Sequence, residues 1–194
     1  MRFEYSVAVC LFLGMMIASC GLLETRTPQP PDQGNTANPQ ATSAQILIDN
    51  LQASFTNKNV SDYEKLFADV SSVGRQYTYI PTQKAAGNYS AIFAQWTTES
   101  ELNYFNKAMA SVSTAFTPTV SFSNDVLTPF QSDSALYETD YTVFLAPTTY
   151  SGHARFSMLP NKNTGVWFLY RWEDVQTSNN AALSWSDLKG QFSQ

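Results

Sequence analysis

His153 is the side chain in this sequence best suited to acid–base chemistry. It is the only histidine, and histidine gains or loses a proton close to neutral pH. A general base also needs a partner that orients it and sets its pKa. On a strand, Arg155 would share the face of His153 and lower the histidine pKa, whereas Asp140 or Glu138 on a neighbouring strand would raise it. His153 is therefore either a candidate base or one polar residue on a solvated sheet face.

The sequence offers little for metal, thiol or serine chemistry. Both cysteines, Cys10 and Cys20, lie near the N-terminus, so the rest of the chain has no thiol for a disulfide, a zinc site or a nucleophile. The sequence contains no D-x-D-x-D-G calcium loop, no phosphate-binding glycine loop and no G-x-S-x-G pattern. We therefore expect no metal site, no cofactor and no catalytic residue.

Aromatic residues with polar tips are the remaining candidates for a binding site. Tyrosine and tryptophan combine an apolar ring with a hydrogen-bonding group, and both are common in ligand cavities. They either line a cavity or simply fill the core, and the sequence leaves both interpretations open. The residues that we single out as candidate cavity lining are Tyr77, Trp96, Tyr104, Tyr141 and Trp172, together with His153.

The N-terminal residues predict export. Arg2 precedes an apolar run, Val7–Ala18, which is shorter than the ~20 residues that a helix needs to cross a bilayer. This length is typical of a secretory signal peptide. The run ends in Ile17-Ala18-Ser19-Cys20, which resembles the lipobox of bacterial lipoproteins, in which a small residue precedes a cysteine that becomes acylated.

The lipobox resemblance implies a membrane anchor. Residues 1–19 would be a removed signal peptide and Cys20 the lipidated N-terminus, so the membrane would be a partner and the cell envelope the location. Two or more acyl chains hold a protein stably on a bilayer. Gly21 follows the cysteine, and the lack of aspartate there favours the outer membrane if the host is diderm. Two alternatives stay open: an uncleaved anchor that continues to Leu22-Leu23, and ordinary signal cleavage nearby.

Residues 20–42 predict a tether between this anchor and a folded domain. The range 25–42 carries several prolines among polar residues and has almost nothing to bury, so we expect it to stay disordered and partly extended. Residues 43–194 are long enough to form a single domain with its own core. The net charge of −5 and the absence of a basic cluster argue against a nucleic-acid partner.

Helical periodicity dominates the first half of the predicted domain. Leu47, Leu51 and Phe55 lie one helical turn apart and predict a helix over 43–57 with one apolar face. Ser61 begins a capping-box pattern that predicts a short second helix. Thr98 with Glu101 has the same spacing and predicts a further helix over 99–112.

Strand alternation dominates the second half. A short strand before Pro81 and three long strands joined by short turns predict an antiparallel meander. Helices followed by antiparallel strands indicate an α+β class, with N-terminal helices packed on a curved antiparallel sheet. Beyond the last strand, Ser184–Phe192 should fold back as a packed tail. The predicted strands cover residues 75–80, 119–123, 134–145, 152–159 and 166–175, and Tyr137 and Tyr141 share the apolar face of the third.

Two segments resemble the nuclear transport factor 2-like superfamily, also called cystatin-like or SnoaL-like. Ile46–Phe67 has the order of that superfamily's helical hairpin: an apolar helix, a short polar break and a short helix that ends in Leu-Phe. Gly165–Asp174 is similar to its final strand. The resemblance covers about residues 43–175 and implies a cone-shaped sheet around helices, a fold that often leaves an apolar cavity under its open end. It does not give a function, because such a fold hosts many.

Ketosteroid isomerase, an enzyme of that superfamily, places an aspartate base just after its second helix, where Asp69 lies here. It pairs this base with a tyrosine on the first helix and a protonated acid on a later strand. The first predicted helix here has no tyrosine, so Asp69 is expected to be a carboxylate at a helix end or in a loop.

These observations together favour a lipid-anchored, non-enzymatic binding or interaction module of the cell envelope. Its partner would be a small ligand or an envelope protein, and the sequence leaves homodimer formation open. The alternatives are an isomerase- or hydratase-type enzyme with a site in the cone cavity, and a structural or assembly lipoprotein.

Overall fold

The structure is a computed structural model and describes residues 37–130, 133–175, 177 and 182–194. The predicted signal peptide, the lipidation site Cys20 and the tether up to residue 36 lie outside the described residues. None of the helices in the described ranges is both long enough and apolar enough to span a bilayer.

The described residues contain five strands, with helices before and after them, so the predicted α+β class is confirmed. The helices are α1 (Ala44–Thr56), α2 (Val60–Glu64), α3 (Val70–Val73), α4 (Gln83–Asn88), α5 (Ser90–Phe93), α6 (Thr98–Ser111) and α7 (Trp185–Phe192). The strands are β1 (Thr78–Ile80), β2 (Thr119–Phe130), β3 (Ser134–Leu145), β4 (Thr148–Pro160) and β5 (Trp167–Val175).

All five strands join one sheet in the order β1-β5-β4-β3-β2. Strands β2 to β5 form an antiparallel meander, as the alternating segments predict. Strand β1 pairs in parallel with β5, which the sequence did not predict, because so short a strand carries no signal of its partner. Strand β2 continues to Phe130, beyond the predicted end at residue 123, because a register shift between Ser123 and Val126 interrupts its alternation.

Helix α1 begins where the Ser43 hydroxyl accepts a hydrogen bond from the Ile46 amide. Its apolar stripe of Leu47, Leu51 and Phe55 is buried, as predicted. The helix packs on β2 and β5, so it covers the inner face of the sheet.

Two predicted helix starts are shifted. Helix α2 is capped by Asn59 and not by Ser61. Helix α6 is capped by Thr97, which forms a capping box with Ser100, and not by Thr98 with Glu101. Because a serine takes the place of the expected acid in that box, the Glu101 side chain does not cap the helix. It is buried in the core instead.

The folded domain starts before residue 43. The backbone N–H of Asn38 donates to the Asp62 carboxylate at 2.9 Å, and the Asn50 side chain donates to the Pro39 carbonyl at 2.7 Å. Ala41 is buried. Residues 38–41, which composition assigned to the tether, therefore pack on the domain, because side chains of α1 and α2 satisfy their backbone groups.

The C-terminal segment completes the core as a helix. Trp185 of α7 is fully buried. Its ring centre lies 5.4 Å from that of Phe55 in α1, 5.1 Å from Tyr141 in β3 and 4.5 Å from Trp172 in β5. Helix α7 also packs against α4, α6 and β4. The interior of the domain is therefore filled from the C-terminal end of the chain.

Candidate functional site

The structure divides the predicted site residues between the two faces of the sheet. On β3, Tyr141 is buried on the inner face, whereas the adjacent Asp140 lies on the outer face. His153 of β4 is directly opposite Asp140 in the register of the two strands. His153 therefore does not share the interior with Tyr141 and the other aromatic candidates, because strand alternation places it on the outer side.

His153 lies among ion pairs on this outer face. Its Nδ1 is 2.9 Å from Asp140 Oδ1, and the Arg155 guanidinium donates to Glu138 at 2.7 Å. Asp140 also accepts a hydrogen bond from the Asn124 side chain at 2.8 Å. The hydrogen bond from Asn124, followed by that from His153, lowers the pKa of Asp140. The histidine thus has an orienting carboxylate, but on an open polar surface.

The aromatic candidates lie on the inner side of the sheet. Tyr77, Tyr104, Tyr141 and Trp172 are at most 2 % exposed, and Trp96 is half-buried. Their rings pack against other aromatic rings from α2, α5, α6, α7 and β1. The four buried residues therefore occupy the interior of the domain.

The same interior holds a fully buried carboxylate, Glu101 of α6. Its Oε1 accepts hydrogen bonds from Tyr77 Oη at 2.5 Å and from Trp96 Nε1 at 2.9 Å. Its Oε2 accepts one from Tyr63 Oη at 3.0 Å. The ammonium group of Lys189 in α7 forms an ion pair with Oε1. We call these five residues the Glu101 cluster.

Four aromatic rings surround the Lys189 ammonium group. Its Nζ lies 3.6 Å from the ring centre of Tyr79 and 3.7 Å from that of Trp172. The rings of Tyr104 and Trp96 are 5.4 Å and 5.6 Å away. All four distances fall within the ~6 Å range of cation–π attraction. We call these four rings the aromatic cage.

Burial controls the protonation of these interior groups. It lowers the pKa of Lys189 to about 8, although the nearby Glu101 acts in the opposite direction. It also raises the pKa of Tyr63 and Tyr77 well above the ordinary value, and the charge of Glu101 adds to that rise. The tyrosine hydroxyls therefore keep their protons and serve as donors to Glu101.

A second buried carboxylate, Asp174 of β5, attaches α7 to the sheet. Its Oδ2 accepts hydrogen bonds from the Ser186 amide at 2.7 Å and the Ser186 hydroxyl at 2.5 Å. Its Oδ1 accepts one from Tyr141 Oη at 2.7 Å, and that hydroxyl accepts one from the Trp185 amide at 2.7 Å. Burial raises the pKa of Asp174, and its hydrogen bonds oppose that rise. The first turn of α7 is therefore linked to β3 and β5 by a continuous set of hydrogen bonds.

Local sequence explains how α7 reaches the cluster. Ser184 and Asp187 form a capping box that begins the helix. Further along, the Tyr89 ring lies directly against Gly190, where any Cβ atom would overlap it. This close approach seats the helix deeply enough for Lys189 to contact Glu101.

The Glu101–Lys189 pair was not predicted from the sequence. The capping-box spacing of Thr98 with Glu101 instead gave Glu101 a local role at the start of the helix. A second signal was present, however: Glu101 lies four residues before Phe105 on the apolar stripe of α6, and Lys189 lies four residues after Trp185 on that of α7. Opposite charges on two apolar stripes are the pattern that a buried ion pair would leave in a sequence.

Asp69, which the resemblance to ketosteroid isomerase singled out, is an exposed helix cap. Its carboxylate accepts hydrogen bonds from the Ser71 hydroxyl and the Ser72 amide, both at 2.7 Å. These hydrogen bonds, with that of Ser71 first, lower the pKa of Asp69. The expected helix-end position is confirmed, at the start of α3. Within the described ranges, no group of three or more histidine, cysteine or acidic residues could hold a metal ion.

Solved structures of low sequence identity share this architecture. One comes from Streptomyces avermitilis and is a proposed dehydratase of the nuclear transport factor 2-like family; the TM-score is 0.51 at 9% identity, over 69% of this chain and 92% of that chain. Another is a protein of unknown function from Mycobacterium tuberculosis, with a TM-score of 0.50 at 10% identity, over 77% of this chain and 83% of that chain. The domain has the nuclear transport factor 2-like fold.

At these identities the likeness concerns the fold alone. No family model and no curated protein matches the sequence. The nuclear transport factor 2-like fold predicted from the helical hairpin and the final strand is nevertheless confirmed. In this fold the Glu101 cluster lies on the inner side of the sheet, where the resemblance led us to look for a cavity.

Proposed function

We propose that this protein is a lipid-anchored lipoprotein of the cell envelope, and that its domain is a non-enzymatic module that binds a partner through its surface. The occupied interior is the observation that carries the proposal for the domain. Its carboxylates are already bound by groups of the same chain.

A hydratase or isomerase needs a carboxylate or histidine that can reach its substrate. Glu101 is surrounded by four donors, Asp174 accepts three hydrogen bonds, and both are at most 3 % exposed. His153 is accessible, but it lies on the open outer face. A dehydratase reaction, the class proposed for the Streptomyces structure, is therefore not the function that we favour here.

The outer face of the sheet is the surface best suited to a polar partner. A groove of about 570 Å³ crosses β3, β4 and β5 there. Within it, Arg155 pairs with Glu138 at 2.7 Å and with Glu173 at 3.9 Å, and Arg171 pairs with Glu173 at 3.3 Å. Exposed ion pairs contribute little to stability, so these side chains can exchange their partners for those of another protein. We propose an envelope protein of mixed surface charge as that partner.

The proposed anchor rests on the residues around Cys20. A signal-length apolar run ends two residues before this cysteine, and Asn38 is already bound to the folded domain. Residues 21–36 would therefore form the tether. Extended at ~3.1 Å per residue, they would reach ~50 Å from the membrane.

The anchor is tested by labelling bacteria that express the chain with an alkyne fatty acid. The matched variants are Cys20→Ala and Cys10→Ala, which remove the two cysteines in turn. We expect the wild type and Cys10→Ala to carry the label and to sediment with membranes, and Cys20→Ala to do neither. A labelled Cys20→Ala protein would overturn the proposed anchor.

The binding surface is tested by chemical cross-linking in intact envelopes. Arg155→Glu reverses a charge in the outer groove, and Lys162→Glu makes the same change in the turn before β5. We expect the wild type and Lys162→Glu to form a cross-link with a defined envelope protein. Arg155→Glu should not form this cross-link. A partner that is cross-linked by both variants would contradict the proposal that the outer face is the binding surface. An Arg155-dependent cross-link between two copies of this chain would identify a second copy, and not another envelope protein, as the partner.

A further inference from the structure

The Glu101 cluster is an unusual core, because it contains an ion pair where apolar side chains would pack. Lysine and glutamate are almost never fully buried unless they are paired, and here both are 0 % exposed. Taking two charges out of water costs about as much as their attraction returns, so a buried pair is weak evidence for a purely stabilising role. The arrangement therefore suggests a role in recognition.

The surroundings of the Lys189 ammonium are those of an ammonium receptor. Two ring faces, of Tyr79 and Trp172, lie less than 4 Å from Nζ, and Glu101 supplies the counter-charge. Aromatic cages of this kind recognise quaternary ammonium ligands in other proteins, and the Glu101 carboxylate adds the acceptor that the N–H donors of a primary ammonium need. We propose that the aromatic cage and Glu101 form a binding site for a short primary alkylammonium, which Lys189 occupies as an internal ligand that an external amine can replace.

One ring of the aromatic cage also carries an unsatisfied donor. Trp172 is fully buried, and its indole N–H has no hydrogen-bond partner within the described part of the chain. A buried donor without an acceptor costs free energy. Lysine has no acceptor atom with which to satisfy this group.

A surface groove adjoins the cage. Trp96 is both a wall of the cage and, with Ser193, part of a groove of about 480 Å³ on the domain surface. Ser193 directly follows α7, and its buried hydroxyl also has no hydrogen-bond partner among the described residues. Outward movement of the last turn of α7 would withdraw Lys189 and open the cage to this groove.

An external amine must compete with a ligand that is tethered to the site. A group held within the same chain has an effective concentration in the millimolar range or above. Replacement in the wild type therefore requires a high concentration of amine, whereas removal of the Lys189 side chain should leave the site open to a weak ligand.

The test compares the purified wild-type chain with Lys189→Ala and Lys189→Met. The probe is n-butylammonium, which reproduces the four-carbon stem and the ammonium group of lysine, and 1-butanol is its neutral control. We expect Lys189→Ala to melt at a lower temperature than the wild type. Saturating n-butylammonium should raise its Tm by about 5 °C, and 1-butanol should not. Lys189→Met, whose side chain fills the space without a charge, should not respond to either compound.

The same experiment contains the results that would overturn the proposal. A response of Lys189→Ala to n-butylammonium no larger than its response to 1-butanol would exclude an ammonium site, and so would an equal response of Lys189→Met. If Lys189→Ala does not fold by itself, refolding with n-butylammonium should recover it, and no recovery would count against the site.

Replacement in the wild type needs its own measurement. High n-butylammonium should accelerate amide hydrogen exchange in α7, whereas sodium chloride of equal ionic strength should not. Equal exchange in the two salts would exclude replacement of Lys189. None of these measurements depends on Cys20 or on the outer face, so the proposed anchor and binding surface are tested separately.

Discussion

The two faces of the sheet use the same kinds of charged side chain under opposite conditions. On the inside, Glu101 and Lys189 are both 0 % exposed. On the outside, the Glu138 and Arg155 side chains are 32 % and 44 % exposed. Water screens the outer pair, so either member can leave its partner at little cost. The inner pair has only its own members and their hydrogen-bond donors to stabilise its charges, so the loss of one member leaves the other buried and uncompensated.

The two pairs also differ in what positions them. Glu138 and Arg155 are opposite each other in the register of β3 and β4, so the sheet alone brings them together. Glu101 and Lys189 come from α6 and α7, which meet only when the C-terminal helix is docked. The inner pair therefore depends on that docking, and the outer pair does not.

The largest effect is expected from Glu101→Ala. This change leaves the Lys189 ammonium buried without a counter-charge and removes the acceptor of the Tyr63 and Tyr77 hydroxyls. The free energy of unfolding should fall by ~3–5 kcal/mol, as measured by urea denaturation. Glu138→Ala is the matched control on the outer face and should cost less than ~1 kcal/mol. Equal losses in the two variants would contradict the contrast between the faces.

A double-mutant cycle should show a smaller but distinctive effect. Glu101→Gln and Lys189→Met each break the inner pair, and the second change removes the charge that the first leaves behind. The double variant should therefore be ~1–3 kcal/mol more stable than the sum of the single losses predicts. The outer cycle, Glu138→Gln with Arg155→Met, should show a coupling below ~1 kcal/mol. Additive losses in the inner cycle would mean that the two charges do not interact.

The predictions from the sequence were most accurate where the periodicity of a single helix or strand determines which of its residues are buried. The stripe of Leu47, Leu51 and Phe55 follows from helical spacing, and the buried face of β3, with Tyr137 and Tyr141, follows from strict alternation. Such patterns are strong because a shift by one residue would place the whole set on the wrong face. The nuclear transport factor 2-like fold was predicted from a resemblance, that of the helical hairpin and the final strand to the superfamily.

The candidate site was less predictable, because it depends on contacts between distant segments. Glu101 fits a local capping pattern with Thr98, and only the competing box of Thr97 with Ser100 leaves it free to enter the core. Lys189 has no local partner at all. Its position follows from the docking of α7 on α6. Local patterns in a single sequence do not show which helices will pack against each other.

The pH dependence of stability should expose the burial of Lys189. Its pKa is about 8 in the folded protein, whereas an unfolded lysine keeps its proton up to pH ~10.4. Between these values the unfolded state binds more protons, so stability should rise with pH, by at most ~1.4 kcal/mol per pH unit. Below about pH 8 both states are protonated and this contribution to the slope disappears.

The upper limit of this rise is set by the buried tyrosines. Burial raises the pKa of Tyr63 and Tyr77 in the folded state, so unfolded tyrosines ionise first near pH ~10 and stability should fall again. Urea denaturation in half-unit steps from pH 7 to pH 10.5 would measure the curve. Lys189→Met should lack the rise, and a wild-type curve parallel to that of Lys189→Met between pH 8 and pH 10 would contradict a lowered lysine pKa.

The smallest effects are expected on the outer face, where His153→Ala should change the stability at pH 7 by less than ~1 kcal/mol. Its partner Asp140 has a lowered pKa, chiefly through the hydrogen bond from Asn124 and then through that from His153. A carboxyl group whose pKa is lower in the folded state stabilises the protein above its unfolded pKa, and this contribution is lost as the pH falls through the folded value. Asn124→Ala should therefore weaken the acid-dependent loss of stability more than His153→Ala does, in urea denaturation at pH 7 and pH 3. The reverse order would show that the histidine, and not the asparagine, is the main partner of Asp140 on this surface.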